Sequence, residues 1–210
     1  MDKITIVRFP KSADTEVLMK QSRPMRIARL KSLQSDPTHF YSKFENESNQ
    51  DTEFWLNRLR PGHVQHFVAV CSEKPIEKPD DLVLDAATEF KGFAVVVNEY
   101  EAELAERAKE GEVAYESSTR DLPTYFLGAM WVDTSVRGQG IGSRIIQESI
   151  AWIKEDARTK GWPKVRYRTT ALHGNDRAAN LYRSLGFDID QDDRYRESEQ
   201  DLATHLSMIL

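Results

Sequence analysis

Trp131-Val132-Asp133-Thr134-Ser135-Val136-Arg137-Gly138-Gln139-Gly140-Ile141-Gly142-Ser143 is the stretch whose reading decides the fold. It joins an apolar run, Thr124 to Val132, to a basic, glycine-rich turn. The turn enters an amphipathic helix with Ile146, Ile150, Ile153 and Ala157 at i, i+4, i+7 and i+11. Glycines at 138, 140 and 142 leave backbone N–H groups uncovered by side chains, and the positive end of the helix dipole points at the same spot. Such a turn is built to hold phosphate, and Arg137 adds a fixed charge. A Walker A loop is excluded because no lysine follows the glycines. A Rossmann turn is excluded because the third glycine comes one position early and no acid stands about 20 residues on.

A second motif lies downstream: Asn175-Asp176-Arg177-Ala178-Ala179-Asn180-Leu181-Tyr182-Arg183-Ser184-Leu185-Gly186-Phe187. The first stretch resembles the pyrophosphate loop of the GNAT superfamily of acetyl-CoA-dependent N-acetyltransferases, R/Q-x-x-G-x-G/A, here R-G-Q-G-I-G. The second is similar to that family's N-x-x-A-x-x-L-Y-x-x-x-G-F. A softer likeness opens the chain: Arg26, Arg29, Leu30, Leu33, Asp36-Pro37 and Phe40, then Glu45, Trp55 and Leu59. The resemblance spans residues 4 to 210, interrupted by two insertions. It implies an α/β fold of mixed type: a central, mostly antiparallel sheet whose central strands splay apart, with helices on both faces.

Length and composition agree with that. The 210 residues and an ordinary hydrophobic share of 40% suit one domain, 1–210, with a sizeable core. Net charge is −5, so bulk charge gives no nucleic-acid footprint; an acidic surface suits cationic substrates such as amines. Cys71 is the only cysteine, so no internal disulfide and no cysteine metal site is expected. No apolar run approaches the ~20 residues of a membrane span, and the amino terminus lacks a signal-peptide core. The expectation is a soluble cytoplasmic protein, monomer or homodimer, without membrane or nucleic-acid partners.

Along the chain, Ile4 to Phe9 alternates as a strand. Asp14 caps a helix through Arg23, which Pro24 kinks or restarts. Ile27, Leu30 and Leu33 form a drifting helical face that ends by Pro37. Asp51 to Leu59 is a short helix, and His66 to Cys71 and Phe90 to Val97 are strands, with Gly92 marking a bulge. Residues 72–89 form the first insertion. The second, near 98–123, holds eight acids against three bases over 99–121. It reads as an acidic helix plus loop, either a solvated excursion or a cap over the substrate pocket. Gly161 ends the long helix, Val165 to Ala171 is a strand, and Ala178, Leu181, Tyr182 and Leu185 mark a helix face that Gly186 stops. Ala203 to Leu210 is the last strand.

Acetyl transfer from a thioester to an amine needs a gripped cofactor, a polarised carbonyl, a neutral amine and a protonated leaving thiolate. Grip falls to Arg137, Gly138, Gln139, Gly140, Ile141, Gly142 and Ser143. The resemblance implies that the segment Met130-Trp131-Val132 serves the pantetheine arm and that the Met130 N–H polarises the carbonyl. It also implies that Tyr182 protonates the thiolate and that Asn175 bonds the cofactor arm, with Asn180 a further cofactor candidate. The bland roles are a helix cap for Asn175 and a helix face for Tyr182. No carboxylate stands on Thr124 to Gly128, so the general base is open among Asp133, Glu89, Tyr125, His173, or ordered water. His39, His63 and His66 are too scattered for a metal site. Acetyl-CoA is thus the expected co-substrate, with no metal, and a small-molecule or peptide amine the acceptor. The alternatives are a non-catalytic acyl-CoA sensing module and a protein lysine or N-terminal acetyltransferase.

Overall fold

The computed structural model describes residues 3–72, 76, 82, 84, 88–109, 122–189 and 203–210. In chain order the elements are β1 (Lys3–Arg8), α1 (Thr15–Ser35), α2 (Phe44–Ser48), α3 (Thr52–Leu59), β2 (Val64–Ser72), β3 (Phe90–Asn98), α4 (Glu99–Lys109), β4 (Thr124–Val132), α5 (Ile141–Thr159), β5 (Arg166–Leu172), α6 (Asp176–Ser184), β6 (Asp188–Ile189) and β7 (Ala203–Ile209). The strand order is β1-β2-β3-β4-β5-β7-β6. The chain forms two compact units. The first holds residues 1–95 and 129–149, the second 96–128 and 150–210.

In the first unit, β1 and β2 pair antiparallel from Lys3↔Ser72 to Arg8↔Phe67. Asp14 caps α1 by accepting from the N–H groups of Glu16 and Val17, a cap worth about 1 kcal/mol. The helix runs through Pro24 to Ser35 without a restart, contrary to the sequence expectation, and Pro24 itself is buried. The expected face is also shifted. Ile27 is 50% exposed, while Leu18, Met25, Ala28 and Leu33 are buried. A spacing of i, i+3, i+6 drifts off a 3.6-residue period, so the outermost member leaves the stripe. Leu18, Met25 and Ala28 join Val7, Phe9, Leu56, Leu59, Phe93 and Trp131 in one apolar core. Gly92 serves a close approach. A Cβ there would lie 2.9 Å from the Trp131 carbonyl oxygen, which any larger residue would displace.

In the second unit, β4 and β5 run parallel, but their register covers only Thr124↔Arg166 to Leu127↔Thr169. β4 continues five residues further, to Val132. This is the departure from pairing that the resemblance implies. β5 pairs antiparallel with β7 along its whole length, and β7 pairs with the two-residue β6. The final strand therefore inserts between β5 and β6, which chain order alone does not reveal. On α6 the buried positions are Ala179 and Tyr182; Ala178, Leu181 and Leu185 are half-buried. The apolar face is thus rotated by about one residue from the expected one.

The acidic stretch forms α4 up to Lys109, and residues 110–121 lie outside the described residues, as do most of 72–89. Among the described residues no helix is long and apolar enough to cross a membrane.

Candidate active site

The glycine-rich turn belongs wholly to the first unit. β4 ends at Val132, a short 3-10 turn covers Thr134–Val136, and α5 begins at Ile141. Gly138 and Gly140 have φ of 80° and 72°, a left-handed backbone that any other L-residue adopts only at a cost of roughly 1–2 kcal/mol. Gly138, Gln139 and Gly140 are exposed, Ile141 is buried, and Gly142 and Ser143 are half-buried. The first turn of a helix leaves its N–H groups without helical partners. Here the Arg144 N–H is the first to close on the turn, onto the Gly140 carbonyl. The N–H groups ahead of it, over the positive end of a 19-residue helix, suit a diphosphate.

Arg137 is engaged by the protein itself. Its Nε donates to the Val132 carbonyl at 2.8 Å and its Nη2 to Asp36 Oδ2 at 2.6 Å. Asp36 follows the last residue of α1, and its Oδ2 also accepts from Trp131 Nε1 at 3.0 Å and Ser35 Oγ at 2.7 Å. Partial burial works to raise the Asp36 carboxyl, but the hydrogen bonds from Arg137, Ser35 and Trp131 outweigh it and hold it below the usual carboxylate range. The arginine thus first ties the turn to α1, and Asp36 offsets much of the charge that Arg137 offers to phosphate. Sequence reasoning quoted Asp36-Pro37 in the opening likeness but gave Asp36 no role.

A second carboxylate anchors the same turn. Asp133 Oδ1 accepts from the Ser135 N–H at 2.9 Å and its hydroxyl at 2.8 Å, and Oδ2 meets Lys31 Nζ of α1 at 2.5 Å. Burial opposes ionisation of Asp133, yet Lys31 and Ser135 prevail and bring its pKa to about 2. A carboxyl so acidic is a poor proton acceptor near neutrality. Glu89, also weighed as the base, is exposed and bonded to Lys91 Nζ at 2.7 Å.

Met130, Trp131 and Val132 close β4 in the first unit, whereas Tyr182, Asn175, Asn180, Tyr125 and His173 lie in the second. Tyr182 is 5% exposed. Its ring meets Phe187 at a centroid distance of 5.7 Å, and Phe187 meets Tyr167 at 5.2 Å. Burial raises the phenol's pKa, opposed by a hydrogen bond with Thr169. The hydroxyl is therefore protonated at neutral pH, the state a proton donor requires. Thr169 Oγ1 in turn donates to the Leu127 carbonyl at 3.2 Å, the last registered pair of the parallel ladder. Asn175 caps α6, its Oδ1 accepting from the Ala178 N–H at 3.2 Å. Asn180 is exposed beside Arg183. Tyr125, weighed as a base, is fully buried and donates to Asp156 Oδ2 at 2.5 Å; burial and that carboxylate push its phenol up strongly. His173 is exposed. Among the described residues no group of histidine, cysteine and acidic side chains could hold a metal ion.

Comparison with known proteins bears on this geometry. Residues 89–189 match the family model described as "Acetyltransferase (GNAT) domain". They include both the glycine-rich turn and Tyr182. The fold is similar to a crystal structure of Arabidopsis thaliana NAA60 in complex with acetyl-CoA, at 17% identity and a TM-score of 0.54, covering 99% of this chain and 100% of that one. It is also similar to a GNAT acetyltransferase from Streptococcus pneumoniae, at 14% identity and 0.54, covering 99% of each chain. Another from Staphylococcus aureus matches at 12% identity and 0.53, again over 99% of each. A comparison with functionally curated sequences finds no match. The glycine-rich turn and Tyr182 thus both lie in the segment, residues 89–189, that is similar to the GNAT acetyltransferase domain.

Proposed function

We propose that the chain moves the acetyl group of acetyl-CoA to a primary amine by direct attack, with both substrates bound together. The observation that carries this is the turn at 137–143: two left-handed glycines and uncommitted helix-end N–H groups, shaped for a diphosphate. The turn's backbone grips the cofactor, with Ile141, Gly142 and Ser143 at the helix end and Arg137 bracing the loop. Backbone of Met130-Trp131-Val132 holds the pantetheine arm. The Met130 N–H receives negative charge developing on the carbonyl oxygen, a service worth on the order of 3 kcal/mol in comparable sites. Tyr182 gives its proton to the departing sulfur, and Thr169 re-orients the hydroxyl. Asn175 and Asn180 border the cofactor arm. No side-chain base is needed if the amine enters neutral, which the commitments of Asp133 and Tyr125 favour. The half-buried, unbridged Cys71 has no part in the transfer.

The acceptor is a small-molecule or peptide amine, acting in the cytoplasm on a single acetyltransferase domain. The test measures acetyl-CoA binding by calorimetry and free CoA release with a panel of amines. Micromolar binding and amine-dependent CoA release are expected; neither binding nor turnover would overturn the proposal. The engaged base candidates leave a non-catalytic acyl-CoA sensor as the second reading, and it predicts binding without CoA release.

A further inference from the structure

Away from the glycine-rich turn, α1 and α3 of the first unit bring three arginines together around Trp55 and Glu47. Arg29 of α1 bonds Glu47 of α2 through Nε at 3.0 Å and Nη2 at 2.7 Å. Arg58 of α3 reaches the same carboxylate at 3.2 Å. Arg26, one turn before Arg29, donates to the Ser48 carbonyl at 3.2 Å and lies over the Trp55 ring at 5.7 Å. Arg29 and Arg58 thus share one carboxylate, with the Arg26 guanidinium bonded to backbone beside it. A structural pin needs one cation per anion; two positive charges here lack a counter-charge from the cluster.

Two further observations show that acceptors are missing. Arg29 Nη1 and Trp55 Nε1 are buried without hydrogen-bond partners, and a buried donor left unpaired is destabilising. The cations are also held in place. Arg58 stacks over Phe54 at 4.7 Å and Trp55 at 5.5 Å, and Arg29 over Phe40 at 4.9 Å. The Arg58 side chain is 39% exposed, so the cluster opens to solvent on that side. Fixed guanidinium forks with spare donors match a planar carboxylate. Arg29 stands seven residues before Asp36 on α1, about 10 Å along the helix, and Asp36 holds Trp131, the neighbour of Met130. Phe40, beneath Arg29, packs on the core that includes Trp131.

We infer that Arg58, Arg26 and Arg29 form an anion subsite for a carboxylate carried by the amine acceptor, so that the preferred acceptors are amino acids or similar amino-carboxylates. The inference rests on the acetyltransferase reading and narrows its acceptor class.

The test compares amino acids with their carboxamides as acceptors, in the wild type and in Arg58→Gln and Arg26→Gln variants, with acetyl-CoA affinity measured in parallel. The carboxamide amine is less basic and more neutral at a given pH, which biases the comparison against the expected result. The wild type is expected to favour the carboxylate at least tenfold in kcat/KM. Arg58→Gln is expected to raise the KM for the amino acid at least tenfold and to erase that preference, with acetyl-CoA affinity unchanged, which also reports an intact fold. Arg26→Gln gives the same pattern more weakly. Equal use of both acceptors by the wild type overturns the subsite and leaves the acetyltransferase reading standing. Weakened acetyl-CoA binding in Arg58→Gln also overturns it, assigning the cluster to a cofactor phosphate. A wild type that binds no acetyl-CoA and acetylates neither acceptor overturns the acetyltransferase reading itself.

Discussion

The turn at 137–143 and the neighbourhood of Tyr182 solve different physical problems. In the proposed function the turn presents N–H groups to a strong anion while staying in water's reach. It is fixed by ions: Asp36 binds Arg137 and Trp131, and Asp133 binds Lys31 and Ser135. In the proposed transfer, Tyr182 keeps a proton until a thiolate appears. It is fixed by burial among aromatic rings, with one weakly polar partner, Thr169. In one region charge holds geometry; in the other the exclusion of water holds a protonation state. The difference implies that the turn is sensitive to pH and salt, and that the tyrosine is sensitive to loss of a single oxygen atom.

Removing that oxygen is the most severe way to test the contrast. Tyr182→Phe keeps the ring and its contacts with Phe187 but deletes the proton. General acids of this kind contribute typically 10²–10⁴-fold, so kcat is expected to fall at least about 100-fold with acetyl-CoA affinity nearly unchanged. A variant with wild-type kcat would show that the phenol is packing alone. Thr169 retains its bond to the Leu127 carbonyl, so stability should change little.

For the turn, the sharpest probe is acid. Asp133 has a folded pKa of about 2, below its unfolded value. Its stabilisation is therefore fully present above the unfolded pKa and is lost as pH falls through about 2. Asp133→Asn removes it at every pH, at a cost on the order of 2 kcal/mol at neutrality. Urea unfolding of both proteins from pH 7 down to pH 2 should show curves that converge as the wild type protonates. Curves that stay parallel would separate Asp133 from the acid sensitivity of the turn.

How much of this was legible follows the same divide. The glycine turn and the Asn175-to-Phe187 motif could be read because their residue types are rare at that spacing and each has a stated physical cost or use. Asp14 could be read as a cap for a similar reason, and it accepts N–H bonds at the start of its helix; Asp51, which caps α3, was read only as the first residue of that helix. Asp36 was written in the opening likeness, but its role arises between residues about 100 apart in sequence, where no spacing rule reaches. The restart expected at Pro24 does not occur, because burial of the surrounding stripe outweighs one missing N–H. The position of β7 beside β5 is a long-range pairing, silent in any local window.

A milder probe asks whether Arg137 binds phosphate or only braces the loop. Arg137→Gln keeps a donor for the Val132 carbonyl but removes the charge and leaves Asp36 with Trp131 and Ser35. A direct phosphate contact predicts acetyl-CoA affinity weaker by about tenfold, as expected for loss of one charge-assisted bond, with an effect that shrinks as salt rises. A bracing role predicts a comparable loss from Asp36→Asn, which leaves the arginine in place but unanchored. Calorimetric titrations of both variants at two ionic strengths distinguish them. If Asp36→Asn tightens binding instead, Arg137 is being withheld from the diphosphate by its own partner.

The smallest effect comes from the tyrosine that resembles Tyr182 only in being buried. Tyr125 donates to Asp156, and Asp156 is also held by Lys160 at 2.6 Å. Tyr125→Phe removes one hydrogen bond but leaves that carboxylate its ammonium partner, so the loss is about 1 kcal/mol or less. The Tyr125 ring keeps its edge contact with Trp152 at 5.7 Å. Chemical denaturation should register the loss while kcat stays at the wild-type value. A fall in kcat matching that of Tyr182→Phe would mean that the carboxylate-bound phenol also takes part in proton transfer. The distinction between a tyrosine poised to donate and a tyrosine already donating would then fail.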